Sequence, residues 1–341
     1  MAAAKNLFTT IAEMQPFFPF DGNMEFWELK SDLSLVEQKY LVDEVLGFAT
    51  WSALMTYMGE DGNFPAGGNW EQLLEICRHP AAKLTALYKL PEANVKYTGA
   101  GLLVTRSEKS APASEFRTKD LKLNLMHKAQ EHLGLLVRFL EGNTAIFVDW
   151  AASEERADRS KIFPDARSFS KYYNISENHW IFRKLQSFIS DVEDTHLTEL
   201  LGAAYLSELR SQLADGSLTE DNKPVVKIIR QFVANMAMVE AIPRLSIDIS
   251  PRGIILFHNE RGNADENFVA ADPNRIELMV NKALSQARAK KSDLSNFLNT
   301  NATTVKYAAY KSGPAYLDPS IDINDFGNDP DDPNRAGYYT G

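Results

Sequence analysis

Apolar residues fall at Phe26, Leu29, Leu33, Val36 and Tyr40, three or four positions apart, with charged residues between them. That spacing lays one apolar stripe along a helix and predicts helix from Met24 to about Tyr40. Upstream, Leu7–Gln15 predicts a short helix that breaks near Pro16, with Thr9 or Thr10 as its cap. Asp21-Gly22-Asn23 is a turn signal. Gly47 ends or kinks the segment after Tyr40, and Trp51, Leu54, Met55 and Met58 carry the next helix. The glycine-rich run Gly59–Asn69 predicts a loop. Leu73, Leu74, Ile76, Cys77, Leu84, Leu87 and Tyr88 predict a further helix, interrupted at His79–Pro80 and stopped at Pro91. At Asn94 the period shortens to two. Val95 and Tyr97, a Gly99-Ala100-Gly101 turn and apolar Leu102–Val104 predict a β-hairpin. A polar loop (Arg106–Ser114) leads to a long helix, about Phe116–Glu141, and then to Phe147–Ser153.

The same order then recurs. Pro91, Val95, Tyr97 and Gly101-Leu102-Leu103 are answered 152 positions later by Pro243, Ile247, Ile249 and Gly253-Ile254-Ile255. Val36–Gly47 is answered by Val192–Gly202, with one residue lost, and Phe26, Leu29 and Leu33 by Phe182, Leu185 and Ile189 at an offset of 156. A period this long exceeds that of a solenoid and marks a tandem duplication of one domain. The second copy predicts a first long helix from about Glu177 to Leu201, a loop at His258–Glu266, and a long helix over about Asn274–Asn299. The expected fold is mainly α. Two tandem related helical-bundle modules, residues 1–153 and 163–301, each carry a β-hairpin and a long C-terminal helix. A charged linker, 154–162, joins them, and an extended acidic arm, 302–341, follows. From Gly313 onward, Asp318, Asp322, Asp325, Asp329, Asp331 and Asp332 face Arg335 alone, in a segment too poor in apolar residues to bury itself. Its spaced Tyr316, Leu317, Ile321, Ile323 and Phe326 suit an arm that orders on a neighbouring subunit.

Composition narrows the function classes. The chain has 341 residues, 44% of them hydrophobic, enough for two ordinary cores. No apolar run approaches the roughly 20 residues of a membrane span, and the N-terminal stretch lacks a signal-peptide core. The formal charge is −10 and the pI about 5.2, so phosphate neutralisation is not the expected mode of contact with nucleic acid. A single cysteine, Cys77, excludes an intramolecular disulfide and reads as a small buried residue of a helix.

Chemical motifs are sparse. His127 and His132, five apart on one helix, diverge and cannot clamp a metal. Tyr97–Gly101 resembles a phosphate-binding glycine turn but lacks the third glycine and the lysine, and its counterpart Ile249–Gly253 keeps one glycine, which suits a hairpin tip. Glu37, Asp43 and Glu44, with Glu193, Asp194 and Glu199 in the second copy, read as solvated helix faces. Lys119, Lys122 and Lys128, with Arg288, Lys290 and Lys291 in the other long helix, read as solubilising charge or as subunit contacts. No catalytic, cofactor or metal residue is expected. The interface candidates are the hairpin tips, Thr98, Gly99, Ala100, Pro251 and Arg252, and the five arm residues named above.

Several of these segments carry a family resemblance: Leu7–Glu13, Val36–Leu41 with Leu46-Gly47, Gly101–Val104 followed by Ser107-Glu108-Lys109, and the second hairpin Gly253–Phe257. Together they resemble an uncharacterised, internally doubled family of tailed phages and prophages of the Bacteroidetes, over most of residues 5–300. Each repeat is also similar to the helical head–tail connector (adaptor, head-completion) proteins of phages. The resemblance implies a virion protein of the neck, not an enzyme: a homo-oligomeric ring, dodecameric by analogy, between the portal protein and other neck or tail proteins. DNA would pass through its lumen without specific binding. A tail-completion or tail-terminator ring and a non-virion interaction scaffold are the alternatives.

Overall fold

A threonine cap fixes where the first helix starts. In the computed structural model the described residues are 6–59, 68–91, 95–98, 101–104, 115–157, 162–245, 247–250, 253–256 and 273–319. Thr10 is extended and its Oγ1 accepts the Glu13 amide at 3.3 Å, while Glu13 accepts the Thr9 amide, so α1 is only Ile11–Met14. The chain divides into two compact units, residues 1–186 with 246–269, and residues 187–245 with 270–341. Residues 154–157 and Ile162, expected as linker, lie inside the first.

In the first unit, α2 (Trp27–Val36) buries Leu29, Leu33 and Val36 and runs into a π-helical segment, Glu37–Leu46. Gly47 breaks that run and opens α3 (Gly47–Tyr57), followed by α4 (Asn69–Lys89), α5 (Glu115–Gly142), α6 (Val148–Ala151), α7 (Glu154–Ala157) and α8 (Ala166–Ser170). The leading half of α9 (His179–Val192) completes it. Here α4 packs against α2 and α5 around Leu29, Leu33, Leu73, Cys77, Ala81, Leu133, Leu136 and Leu140. Trp150 is fully buried and its Nε1 donates to the Val45 carbonyl at 2.9 Å. The interruption expected at His79–Pro80 does not occur. A proline inside a helix costs about 3 kcal/mol, but Cys77, Pro80, Ala81 and Leu84 are all buried, each apolar side chain contributing roughly 1 to 3 kcal/mol. Packing carries the helix through.

In the second unit the remainder of α9 leads to a π-helical segment, Glu193–Leu197, then α10 (Thr198–Leu201), α11 (Ala203–Ala214), α12 (Asn222–Arg244), α13 (Pro273–Asn301) and α14 (Ala308–Lys311). Its core is α12 against α13, with Val225, Ile229, Val233 and Ala237 buried on one and Ala283, Ala287, Leu294 and Leu298 on the other. Four-residue antiparallel ladders pair Val95–Thr98 with Gly101–Val104, in register Val95 to Val104, and Ile247–Ser250 with Gly253–Leu256, in register Ile247 to Leu256.

The molecule is mainly helical and internally duplicated, and the duplication reaches side chains that sequence alone does not align. Leu125, Ala129, Leu136 and Leu140 of α5 have buried counterparts 158 positions on, Ala283, Ala287, Leu294 and Leu298 of α13. Both helices end the same way. Asn143 Nδ2 donates to the Phe139 carbonyl at 2.8 Å, and Asn301 Nδ2 to the Phe297 carbonyl at 2.7 Å. Both then turn back through a buried aromatic pair, Phe147 with Trp150 and Tyr307 with Tyr310.

Candidate functional site

The chemically most unusual feature is a buried glutamate that opens the π-helical segment in each copy. Glu37 and Glu193 are both 3% exposed, which corrects their reading as solvated face; Asp194 beside them is on the surface. A π turn bonds residue i to i+5, one residue more than an α turn. Accordingly Gln38 donates to Asp43, five positions on, at 2.6 Å. Glu37 holds the start of the chain. Its Oε1 accepts the Leu7 amide at 2.7 Å and its Oε2 accepts Asn6 Nδ2 at 2.6 Å. Arg78 adds Nε to the Leu7 carbonyl at 3.0 Å and covers the Phe8 ring at 5.3 Å. Burial pushes the Glu37 carboxyl up to about 7, against the two hydrogen bonds that favour its charge. Glu193 meets a cation instead, with Arg210 Nη2 3.5 Å from its Oε2 and 2.8 Å from Asp194 Oδ1. At the offset of the glycines Gly47 and Gly202, Arg210 answers to Met55, so the first copy carries a thioether where the second carries a guanidinium.

Those two glycines close the segments with the same backbone, φ 71° and ψ 160° at Gly47, φ 74° and ψ 152° at Gly202. The chain returning from each long helix lies over them. A Cβ on Gly47 would stand 2.5 Å from Glu155 Oε2, and one on Gly202 would stand 3.8 Å from Pro314 Cδ. The returning segments are latched alike. Arg156 covers the Trp150 ring at 5.5 Å and reaches Glu141 at 3.4 Å. In the second copy Tyr316 meets the Tyr310 ring edge-on at 6.1 Å, while Asn299, the counterpart of Glu141, accepts the Tyr310 hydroxyl at 2.7 Å and the Leu317 amide at 3.1 Å. Beside Gly47 an open groove of about 430 Å³ is lined by Phe48, Ala49, Asp149, Ala152, Glu154 and Glu155.

A second cluster crosses from α4 to α5. The rings of His79 and His132 stack at 4.3 Å with planes 3° apart, and Lys83 Nζ lies 3.4 Å from His79 Nδ1 and from the Phe17 carbonyl. Burial and the Lys83 charge hold His79 below its usual value and His132 down to about 4, so both rings are neutral at neutral pH. His127, by contrast, is on the surface beside Glu131 at 3.5 Å. Cys77 is fully buried, and its thiol is pushed up by burial, away from nucleophile chemistry. Among the described residues no three His, Cys, Asp or Glu side chains are placed to hold a metal ion, and no helix is long and apolar enough to cross a membrane.

The interface candidates are placed unevenly. Thr98 ends its strand opposite Gly101. Tyr316 and Leu317 pack on their own unit, although Leu317 keeps 62% of its surface exposed. Residues 302–319, grouped with the arm on composition, thus include α14 and the buried Tyr307 and Tyr310. Gly99, Ala100, Pro251, Arg252, Ile321, Ile323 and Phe326 lie outside the described residues. What the pattern missed was the glutamate pair. Its signal was a charged residue recurring at the same place in both copies, directly after an apolar stripe.

The family comparison follows the same duplication. A model described as Family of unknown function (DUF6712) matches residues 41–160 and again residues 197–320, and the chain belongs to that family. No curated protein matches it, and no solved structure does.

Proposed function

We propose that this member of a family of unknown function is a structural subunit of a tailed-phage neck, a head–tail connector ring component between portal and tail. The observation that carries the reading is that one packing solution is used twice. Each copy has a buried glutamate at a π-helical start, a positive-φ glycine, a long helix closed by an asparagine, and an aromatic latch. A twice-used packing solution without a reactive cluster among the described residues suits a structural subunit. The sequence resemblance to helical connectors, each repeat with its hairpin, supplies the neck. In this role the subunit performs no reaction. Its partners are further copies of itself, the portal protein and other neck or tail proteins. The formal charge of −10 keeps DNA from adhering to the lumen wall as it passes.

Virion composition tests this directly. Particles purified from a lysogen carrying the gene contain the chain in a fixed ratio to the portal protein, and cryo-electron microscopy of the neck places it beneath the portal. Absence of the chain from purified particles overturns the reading, and density in the tail instead transfers it to a tail-completion ring.

A further inference from the structure

We infer that residues 6–8 are a strap that closes over Glu37 and is released when that carboxyl ionises. The inference does not rest on the neck-subunit reading. The strap is held by side chains. Leu7 donates its amide to Glu37 Oε1 at 2.7 Å, and its carbonyl accepts Arg78 Nε at 3.0 Å. Asn6 Nδ2 reaches Glu37 Oε2 at 2.6 Å and Ser34 Oγ at 3.0 Å. Residues 6–8 lie in no helix or strand, and among the described residues none of them makes a backbone–backbone hydrogen bond. Lifting the strap therefore breaks no helix or sheet bond. What resists it is burial: Leu7 and Phe8 are fully packed, and Phe8 meets Phe17 edge-on at 5.5 Å. A segment held in this way opens locally, at less cost than the core beneath it.

Closure seals the carboxyl where its charge is poorly served. Among the described residues Glu37 is held by an amide and an asparagine, with no cation in ion-pair reach. The groups around it do not change that. From α4, the Cys77 thiol is neutral, pushed up by burial and by Glu37 itself. Arg78 spends its guanidinium on the Leu7 carbonyl and the Phe8 ring, and Glu13 and Glu75 are the carboxylates that act on it. From α2, Ser34 is uncharged. His79 and Lys83, further along α4, touch Phe17 and not the strap. Burial accordingly lifts the closed-state carboxyl from 4.5 to about 7. The closed strap thus keeps a proton that the open one gives up to water. Closure is at full strength below about pH 4.5, and its opening constant climbs up to tenfold per pH unit to about pH 7. The total is roughly 300-fold, with a plateau above.

Native-state hydrogen exchange on the full chain tests this, with each rate divided by the intrinsic rate at its pH. The Leu7 amide exchanges through a local opening, at a rate that small additions of denaturant leave unchanged. The amides of residues 81–85 in α4 respond to denaturant, as unfolding of the core requires. Between pH 5 and 8 the protection of Leu7 falls on the order of 50-fold and then levels off. Glu37→Gln makes that protection independent of pH. Arg78→Met, which removes the grip on the Leu7 carbonyl and keeps the carboxyl, lowers it at every pH and leaves the slope. Constant protection of Leu7 from pH 5 to 8 in the wild type overturns the inference. So does a Leu7 amide that tracks those of α4 in denaturant, since the strap then leaves only with the core. A slope that survives in Glu37→Gln overturns it as well, because the trigger is then another group.

Discussion

Glu37 and Glu193 show how one residue type in one place takes two characters from a single neighbour. Glu193 keeps a guanidinium at 3.5 Å, whereas Glu37 is held by an amide and an asparagine, and the residue that answers to Arg210 along the sequence is Met55. The consequence is a pH dependence of known sign. A carboxyl raised from 4.5 to about 7 contributes stability that is full below about pH 4.5 and lost as pH rises through 7, with an upper bound on the order of 3 kcal/mol. His132 works in the opposite sense. Its folded value of about 4 lies below the usual 6.5, so its contribution is present above pH 6.5 and lost as pH falls toward 4. Denaturant unfolding at a series of pH values separates the two. Glu37→Gln removes the loss of stability between pH 4.5 and 7. Wild-type and Glu37→Gln curves running parallel across this range show that Glu37 does not titrate there.

At the scale of elements, the positive-φ glycines separate backbone strain from crowding. The region near φ 70° with ψ near 155° is open to glycine and costs other residues roughly 1 to 3 kcal/mol. Gly202→Ala meets only that penalty, since its nearest neighbour is 3.8 Å away. Gly47→Ala must also displace the Glu155 carboxylate from 2.5 Å. Thermal melts therefore rank the variants, with Gly47→Ala the less stable, and equal losses show that Glu155 swings aside at no cost. Much of this level was legible in the pattern. The 3.6-residue stripes, Gly47 as a break and the long helices near Phe116–Glu141 and Asn274–Asn299 follow from apolar spacing alone. The π-helical segments were not, because ten residues of apolar spacing fit i+4 and i+5 bonding almost equally well. The run through Pro80 was hidden too, because local propensity says stop and only the buried flanks of α4 overrule it. His79 and His132 lie on different helices, and no local pattern joins them.

The whole molecule repeats one module, and the repeat was readable because glycine positions and apolar stripes survive divergence better than polar contacts do. Where polar contacts diverged, reading failed. Glu141 with Arg156 became Asn299 with Leu317, and composition then assigned residues 302–319 to an arm although Tyr310 is fully packed. The two units are nonetheless distinguishable by an accident of composition. All five tryptophans, Trp27, Trp51, Trp70, Trp150 and Trp180, belong to the first unit and none to the second. Tryptophan emission thus follows one core, while circular dichroism follows both. Tyr310→Ala removes a buried ring from the second core, at a cost of about 3 to 5 kcal/mol by analogy with other large aromatic deletions. The expected result is a circular-dichroism melt with a new early phase and a tryptophan melt that stays in place. Trp150→Phe does the reverse, since it removes the Val45 hydrogen bond from the first core. If Tyr310→Ala moves both signals together, the cores unfold as one, and the duplicated modules have merged into a single cooperative structure.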